Sequence, residues 1–282
     1  MRSDGSRITE SHPDYRILSQ IRHGVISRLA GRQDLGVALP GLIKDAVDFV
    51  LDPVRTGRTQ LADLDRVEKT FIGLKIEHYL RDLLGAPRGL RRDMMIDGIE
   101  VDIKNTIGST WMIPPETYRA EEPCLLIATA KFDGRCWLGL LVARDAYLNR
   151  PNRDGKRSVS EEGRRHIMWL VKGVPYPKSR WEGIDMVRFR ELRGLNGGNK
   201  RAALFFQENL NRVVHRSVLQ ALLHDQLDYM RRLRGDGRYK GARELLAEHG
   251  IMLWCGAWAD VRAKEGFSKL SADEWIALPE HY

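Results

Sequence analysis

The sequence predicts an α/β domain with a mixed sheet, followed by a mainly α-helical domain. Apolar runs over 124–130 and 136–143 are typical of buried strands, and they lie among segments with helical periodicity. Beyond residue 181 the pattern becomes helical and more basic. Because 171–181 is rich in proline and glycine, it is predicted to be a linker between domains spanning 1–170 and 182–282.

Three helices are predicted in the first domain. Apolar residues recur at helical spacing over 17–29, and a second helix is predicted over 42–51, before Pro53. The third covers 67–84, with Gly85 as its stop signal. Part of its apolar surface is marked by Phe71, Leu74, Leu80 and Leu84.

The acidic residue Glu77 lies on or beside the buried stripe of this third helix. It falls three residues before Leu80 and seven before Leu84. An unpaired carboxylate at such a position would be costly, so Glu77 either pairs with a cation or points into a metal site.

A β-hairpin is predicted after that helix. Strands over 94–96 and 99–103 flank Asp97-Gly98, a dipeptide that favours a two-residue type I′ turn. Stepping outward from the turn pairs Asp93 with Asp102, so their Cβ atoms are expected about 5 Å apart on one face of the hairpin. Like charges placed side by side require a cation.

The same face of the hairpin carries a lysine. Period-2 alternation places Lys104 beside Asp102 and Glu100, while Val101 and Ile103 point into a core. A divalent cation with oxygen ligands would relieve the repulsion between the carboxylates, and Mg²⁺ suits that role. A solvated surface hairpin held by an ion pair is the alternative interpretation.

Composition favours an anionic partner. The 282 residues carry a net charge of +8 with a pI near 9.5, which fits a partner such as nucleic acid. Three cysteines without close spacing argue against a disulfide framework or a structural zinc site. Since no signal peptide or apolar run of about 18 residues is seen, the sequence predicts a cytoplasmic protein without membrane contact.

Positive charge is concentrated in the second domain. From Met186 to Leu245 there are thirteen Lys or Arg and six Asp or Glu, a net charge of +7. Helices over 201–210 and 214–230, with a turn at Asn211-Arg212, predict a helix-turn-helix, although such pairs also occur in proteins that do not touch DNA. The residues expected to contact DNA are Arg201, Arg212, His215, Arg216, Gln220, Arg231, Arg232, Arg234, Arg238 and Lys240.

Motifs spread over most of the chain are shared with one known family. They are Val67-Glu-Lys-Thr-Phe-Ile-Gly73 leading to Glu77, Ile99-Glu-Val-Asp-Ile-Lys104, Trp111-Met-Ile-Pro-Pro-Glu116, Arg201 to Arg216, and Asp228-Tyr-Met-Arg-Arg-Leu-Arg234. Together they resemble the NaeI family of restriction endonucleases.

The resemblance implies a nuclease domain with the core shared by many restriction enzymes and the mismatch-repair nickase MutH, followed by a DNA-binding domain. It implies a Mg²⁺-dependent homodimer that cuts double-stranded DNA, with a second DNA copy bound by the C-terminal domain as an effector and no organic cofactor. By position, the family's metal-site acids fall on Glu77, Asp93 and Asp102, and its lysine falls on Lys104. Asp93, Asp102 and the Ile103 carbonyl are expected to hold Mg²⁺, while Glu77 binds a second ion or orients a water.

Two other functions stay open at this point. A DNA nickase would use the same acids and lysine but cut one strand. A non-catalytic DNA-binding regulator would explain the basic second domain, but it would leave the acids near Lys104 without a purpose.

Overall fold

The computed structural model describes residues 6–29, 34–108, 110–129, 134–235, 237–257 and 270–280. The chain divides into two compact units. Unit 1 comprises Met1–Val50 and Leu61–Lys178, and unit 2 comprises Leu51–Gln60 and Ser179–Tyr282. No helix in the described ranges is long and apolar enough to cross a membrane.

Within the described ranges, the first 170 residues contain the three predicted helices with shifted ends and three shorter helices that were not predicted. They are α1 (Tyr15–Leu29), α2 (Leu35–Leu51), α3 (Pro53–Thr56), α4 (Arg66–Leu84), α5 (Pro115–Tyr118) and α6 (Glu161–Arg165). The second helix begins seven residues earlier than the predicted residue 42, because it continues through Pro40. The fourth ends at Gly85, which adopts the left-handed conformation with a φ of 55° and leaves its N–H bonded to the last helical turn.

Unit 1 is built on a mixed five-stranded sheet. Its strands are β1 (Met94–Ile96), β2 (Ile99–Thr106), β3 (Met112–Ile113), β4 (Pro123–Thr129), β5 (Arg135–Val142), β6 (Leu148–Pro151), β7 (Arg157–Val159) and β8 (Met168–Pro175). The sheet has the order β1-β2-β4-β5-β8, in which β2 and β4 are parallel and the other neighbours are antiparallel. The predicted mixed sheet of an α/β domain is therefore confirmed.

The centre of this sheet explains why its two apolar runs could be recognised as strands. All seven residues of β4 are buried, and so are seven of the eight in β5. A strand covered on both faces carries a continuous apolar run in place of an alternating one. The remaining strands of unit 1 form a small separate sheet in the order β3-β7-β6.

The predicted linker over 171–181 is wrong in its first half. Residues 171–175 belong to β8, where Val171 pairs with Leu138 and Pro175 pairs with Arg135. The strand lies at the edge of the sheet, where a proline without an N–H can be accommodated. Gly173, with a φ of 65°, lies near an irregularity in the pairing with β5. Proline and glycine here mark an irregular edge strand and not a connection.

Unit 2 contains more strand than the sequence predicted. It consists of α3, α7 (Met186–Gly194), α8 (Gly198–Glu208), β9 (Val213–His215), α9 (Arg216–Leu222), α10 (Tyr229–Arg234), α11 (Ala242–Ala247), β10 (Ile251–Cys255) and β11 (Glu274–Pro279). The three strands form an antiparallel sheet in the order β10-β11-β9. Helices and sheet share one core that includes Trp181, Phe189, Phe205 and Trp275.

The helix predicted over 214–230 is not a single helix. Val213 and Val214 instead pair with Ile276 and Trp275 of β11, and the chain then forms α9 and α10 separately. The pairing strand lies about 60 residues away in sequence, so local periodicity could not reveal it. The predicted turn at Asn211 is present, with a φ of 61°. The arrangement is thus helix, strand, helix, and differs from the helix pair that the sequence predicted.

Candidate active site

The hairpin that carries the acidic residues has the predicted register. Ile96 pairs with Ile99, Met95 with Glu100, and Met94 with Val101. In the turn, Asp97 and Gly98 have φ values of 48° and 82°, the positive values that a type I′ turn requires. Asp93 directly precedes β1, and extending the same register by one residue places it opposite Asp102.

Asp93 and Asp102 lie together at the end of this hairpin. A carboxylate oxygen of Asp93, Oδ2, accepts a hydrogen bond from the Ile103 N–H at 2.7 Å, which fixes it against the neighbouring strand. Asp102 is 4% exposed, and its two oxygens have different donors. The ammonium of Lys104 lies 2.6 Å from Oδ1, and the hydroxyl of Thr117 lies 2.6 Å from Oδ2.

The ammonium of Lys104 occupies the point on which the oxygens converge. Its Nζ lies 2.6 Å from Asp102 Oδ1, 3.2 Å from the Ile103 carbonyl oxygen and 3.9 Å from Asp93 Oδ2. The oxygens of Asp93, Asp102 and Ile103 thus converge on one positive charge, the ammonium of Lys104. The lysine ammonium stands where a metal ion with the same oxygen ligands could bind.

Glu77 approaches the group from α4. The buried face of that helix consists of Ile72, Ile76, Leu80 and Leu84, and Glu77 follows Ile76 at the edge of the stripe. Of the four residues predicted to mark the apolar surface, Leu80 and Leu84 are buried, whereas Phe71 and Leu74 are 53% and 49% exposed. Burial, together with the neighbouring Asp93, raises the pKa of Glu77 to about 8.

The charges of the group are strongly interdependent. Burial raises the pKa of Asp102 against the attraction of Lys104. Burial would raise the pKa of Asp93 as well, but hydrogen bonds with Asp102 and the Ile103 N–H hold it below its usual value. The pKa of Lys104 is raised despite burial, because Asp102 and Asp93 stabilise the ammonium. Burial thus opposes the ionisation of Glu77, whereas Asp102 and Asp93 stabilise the positive charge of Lys104.

This group of residues can bind a hard cation such as Mg²⁺ only if a backbone carbonyl oxygen is included among the ligands. In the parts of the chain that the structure describes, no three His, Cys, Asp or Glu side chains are grouped so as to hold a metal ion by themselves. The oxygens that converge come from Asp93, Asp102 and the Ile103 carbonyl. An all-oxygen set with places left for water is the kind that Mg²⁺ uses.

A basic cleft of about 850 Å³ leads to this group of residues. Glu77, Ile103 and Lys104 line it, and so do the cationic residues Arg66, Lys69 and Lys156. None of these three cations was among the site residues predicted from the sequence. Arg66 and Lys69 lie on α4, eleven and eight residues before Glu77. Residues at these separations share a helix face, so the sequence could have predicted that both lie on the same side of α4 as Glu77.

Three residues expected to contact DNA have structural partners in unit 2. Arg201 is 1% exposed and its guanidinium is bound to Asp225, which corrects the expectation that it faces a groove. Arg212 donates to the carbonyl oxygens of Glu182 and Gly183, and the side chain of His215 caps α9. These side chains are engaged by the fold of unit 2.

The remaining predicted DNA contacts lie nearer the surface. Arg216 is exposed, stacks over Tyr229 and pairs with Asp273 at 3.4 Å. Lys240 forms an ion pair with Glu248. Arg232 is half-buried, whereas the others are exposed: Gln220, Arg231, Arg234 and Arg238. This part of unit 2 therefore presents several cations to solvent.

A mixed sheet with paired carboxylates and a lysine beside a basic cleft is typical of nucleases. The family model described as "Restriction endonuclease NaeI" matches residues 25–270 of the chain. The type II restriction enzyme NaeI of Lentzea aerocolonigenes is 31% identical over 223 residues, which cover 76% of this chain and 68% of that enzyme. The chain therefore belongs to the NaeI family of restriction endonucleases. It is a site-specific deoxyribonuclease of type II.

Proposed function

We propose that this chain cuts duplex DNA at a specific sequence in a Mg²⁺-dependent reaction, with Glu77, Asp93, Asp102 and Lys104 as its catalytic residues. The observation that carries the proposal is the convergence of Asp93, Asp102 and the Ile103 carbonyl on one cation, the Lys104 ammonium. That point lies beside a cleft lined by Arg66, Lys69 and Lys156, where a phosphodiester backbone would be attracted.

The proposed chemistry assigns a role to each side chain. Asp93, Asp102 and the Ile103 carbonyl would hold Mg²⁺, which when bound polarises the scissile phosphate and lowers the pKa of a water. Lys104, freed from those oxygens, would position the attacking water and stabilise the negative charge that builds on the phosphate. Glu77 would orient a water or hold a second ion. A nearby cation would favour its ionised form, against the burial that raises its pKa.

The first prediction concerns the reaction and its metal. Purified protein incubated with supercoiled plasmid should give linear DNA with defined ends in Mg²⁺ or Mn²⁺, and no cleavage in EDTA. Ca²⁺ should support DNA binding without efficient cutting, because it accepts the same oxygens in a looser geometry. Gel electrophoresis and end mapping provide the measurement.

Each other outcome of this experiment has a defined meaning. Open circles without linear product would identify a nickase that cuts one strand. Cleavage that continues unchanged in EDTA would remove the metal mechanism.

We further propose that the enzyme acts as a homodimer. Cutting both strands of a two-fold symmetric site is most simply done by two copies related by the same symmetry. One face of α4 also carries an exposed apolar stripe of Val67, Phe71 and Leu74, which are 64%, 53% and 49% exposed. Because Leu74 also lines the cleft, a second copy seated on this stripe would bring two active sites close together.

The second prediction tests the dimer. Sedimentation equilibrium should give a mass of about twice 32.3 kDa. Phe71→Lys should shift the protein toward monomer, because it places a charge within the apolar stripe. Leu90→Lys is the matched control, since Leu90 is 95% exposed in the same unit but lies outside the stripe. A monomeric mass for the wild type at every concentration would contradict the proposal.

We also propose that unit 2 binds a second DNA copy as an effector. Its support is the set of exposed cations beyond α9, which includes Arg231, Arg234 and Arg238. The acids assigned to catalysis all lie in unit 1, so binding by unit 2 and hydrolysis by unit 1 involve different residues.

The third prediction follows from that separation. A short duplex carrying the recognition site should accelerate cleavage of a poorly cut plasmid, because two DNA sites would be linked. Arg231→Ala combined with Arg234→Ala should abolish the acceleration and leave cleavage of a readily cut plasmid largely intact. A duplex of scrambled sequence is the control. If the cognate duplex only competes with the plasmid, the effector proposal is wrong.

A further inference from the structure

Thr117 is a buried residue that contacts the proposed metal site without facing the cleft. It is 1% exposed, and its hydroxyl donates a hydrogen bond of 2.6 Å to Oδ2 of Asp102. A buried hydroxyl is costly unless it is bonded, and a bond to an ionised carboxylate is among the stronger ones. Thr117 was not predicted from the sequence, because its partner is fifteen positions away on another element.

The turn that carries Thr117 is held on both sides. Its N–H donates to the Pro114 carbonyl at 3.1 Å, and its own carbonyl accepts from the Glu122 N–H at 3.1 Å. The guanidinium of Arg92 donates to the Glu116 carbonyl at 2.7 Å and pairs with the Glu122 carboxylate. Arg92 immediately precedes Asp93, so the same side chain ties the turn to the acidic hairpin.

The two carboxylate oxygens of Asp102 therefore have different partners. The hydroxyl of Thr117 donates its only proton to Oδ2. Oδ1 is therefore the oxygen available to a cation, and in this structure it accepts a hydrogen bond of 2.6 Å from Lys104. Without the Thr117 hydroxyl the carboxylate could rotate about its Cβ–Cγ bond and offer either oxygen. Removing a group that hydrogen-bonds to a metal ligand, without touching the metal itself, typically lowers metal affinity by about 10- to 100-fold.

We propose that Thr117 is a positioning residue that holds the Asp102 carboxylate in the orientation required to bind the metal ion. This inference rests on the proposed function of Asp102. The hydroxyl acts through Asp102 and does not touch the substrate, so its loss should weaken the metal site more than it weakens DNA binding.

The test compares Thr117→Val with Thr117→Ser. The valine variant keeps the shape and loses the hydroxyl, whereas the serine variant keeps the hydroxyl and loses a methyl group. The Mg²⁺ concentration for half-maximal cleavage should rise about 10- to 100-fold in Thr117→Val and return close to the wild-type value in Thr117→Ser. Mn²⁺ affinity, measured from the free-ion signal in electron paramagnetic resonance, should fall by a similar factor. The DNA dissociation constant without metal should stay unchanged.

Thr129→Val is the matched control. Thr129 is fully buried in β4 of the same unit, and its hydroxyl has no hydrogen-bond partner within the described residues. This variant should match the wild type in metal dependence, and it should unfold at an equal or higher temperature because it removes a buried hydroxyl that has no hydrogen bond. If Thr117→Val unfolds more readily but Thr117→Ser does not, the Mn²⁺ titration on the folded fraction still decides the matter.

Asp102→Asn separates the two proposals. If Asp102→Asn loses Mn²⁺ binding and cleavage while Thr117→Val retains wild-type values for both, the role of Thr117 is refuted and the site stands. If Asp102→Asn binds Mn²⁺ and cuts DNA like the wild type, the proposed function of Asp102 fails, and the inference on Thr117 fails with it. A failure of Thr117→Ser to restore the Mg²⁺ dependence would also overturn the inference.

Discussion

Lys104→Ala should reduce the rate of DNA cleavage by at least about 100- to 1000-fold, the cost of removing one charged donor that stabilises a transition state. Lys104 is the only lysine that contacts Asp93, Asp102 and the Ile103 carbonyl among the described residues. Single-turnover cleavage of a labelled duplex in Mg²⁺ is the measurement. DNA binding in Ca²⁺ should change little, because Arg66, Lys69 and Lys156 of the cleft remain.

Two further variants show whether the placement of the charge matters. Lys104→Arg keeps the charge but replaces a compact ammonium with a planar guanidinium, so it should stay nearly as slow as Lys104→Ala. Lys172→Ala removes an exposed lysine of β8 in the same unit and should cut like the wild type. Wild-type rates for Lys104→Ala would show that the convergence of oxygens on this ammonium has no catalytic meaning.

The acidic hairpin was predictable because its determinants are local. Asp97-Gly98 fixes the turn, the turn fixes the register, and the register brings Asp93 opposite Asp102. Gly85 likewise marked the end of the helix that carries Glu77. Each of these inferences needs only residues that are close in sequence.

The rest of the site depends on contacts between distant segments. Thr117 of α5 reaches Asp102 of β2 through a single long-range hydrogen bond, and Lys156 lines the cleft from a loop between β6 and β7. The pattern of one strand does not reveal its neighbours, so neither residue could be selected from spacing. The contacts of Lys104 with Asp102 and Asp93, in contrast, follow from the negative charge of the two carboxylates that the hairpin brings together.

Unit 2 shows where charge composition misleads. Thirteen cations between Met186 and Leu245 favoured a set of DNA contacts, and Arg201 was among them. In the structure the side chain of Arg201 is buried within unit 2. It donates from Nη1 to the carbonyl oxygens of Arg193 and Leu222, at 2.9 and 3.0 Å. An arginine count cannot distinguish a side chain that faces solvent from one that joins helix ends.

Asp225→Ala should destabilise unit 2, because it leaves the buried guanidinium of Arg201 without its carboxylate. Both oxygens of Asp225 lie 2.9 Å from Arg201 Nη2. Breaking a fully buried pair costs about 3–5 kcal/mol, but the Asp225 side chain is 47% exposed, so water can partly replace it. We expect a loss of about 2–3 kcal/mol in the free energy of unfolding, measured by urea denaturation at pH 7.

Removing both partners distinguishes a broken pair from lost packing. The double variant Arg201→Met with Asp225→Ala should recover much of the stability that Asp225→Ala loses, because no buried charge then remains unpaired. If the double variant is less stable than Asp225→Ala alone, the arginine stabilises unit 2 through its carbonyl contacts and not through the ion pair.

The stabilisation by this pair should also depend on pH in a defined direction. Hydrogen bonds from Arg201 lower the pKa of Asp225 from an ordinary value of 3.8 to about 2. A carboxyl whose folded pKa is depressed stabilises the fold above its unfolded pKa and loses that contribution as the pH falls through its folded pKa. The stability difference between the wild type and Asp225→Asn should therefore be constant above about pH 5 and shrink from about pH 4 toward pH 2. Because the two proteins differ at one carboxyl, the subtraction removes the titration of all the others. A difference that stays constant down to pH 3 would show that Asp225 does not owe its ionisation to Arg201.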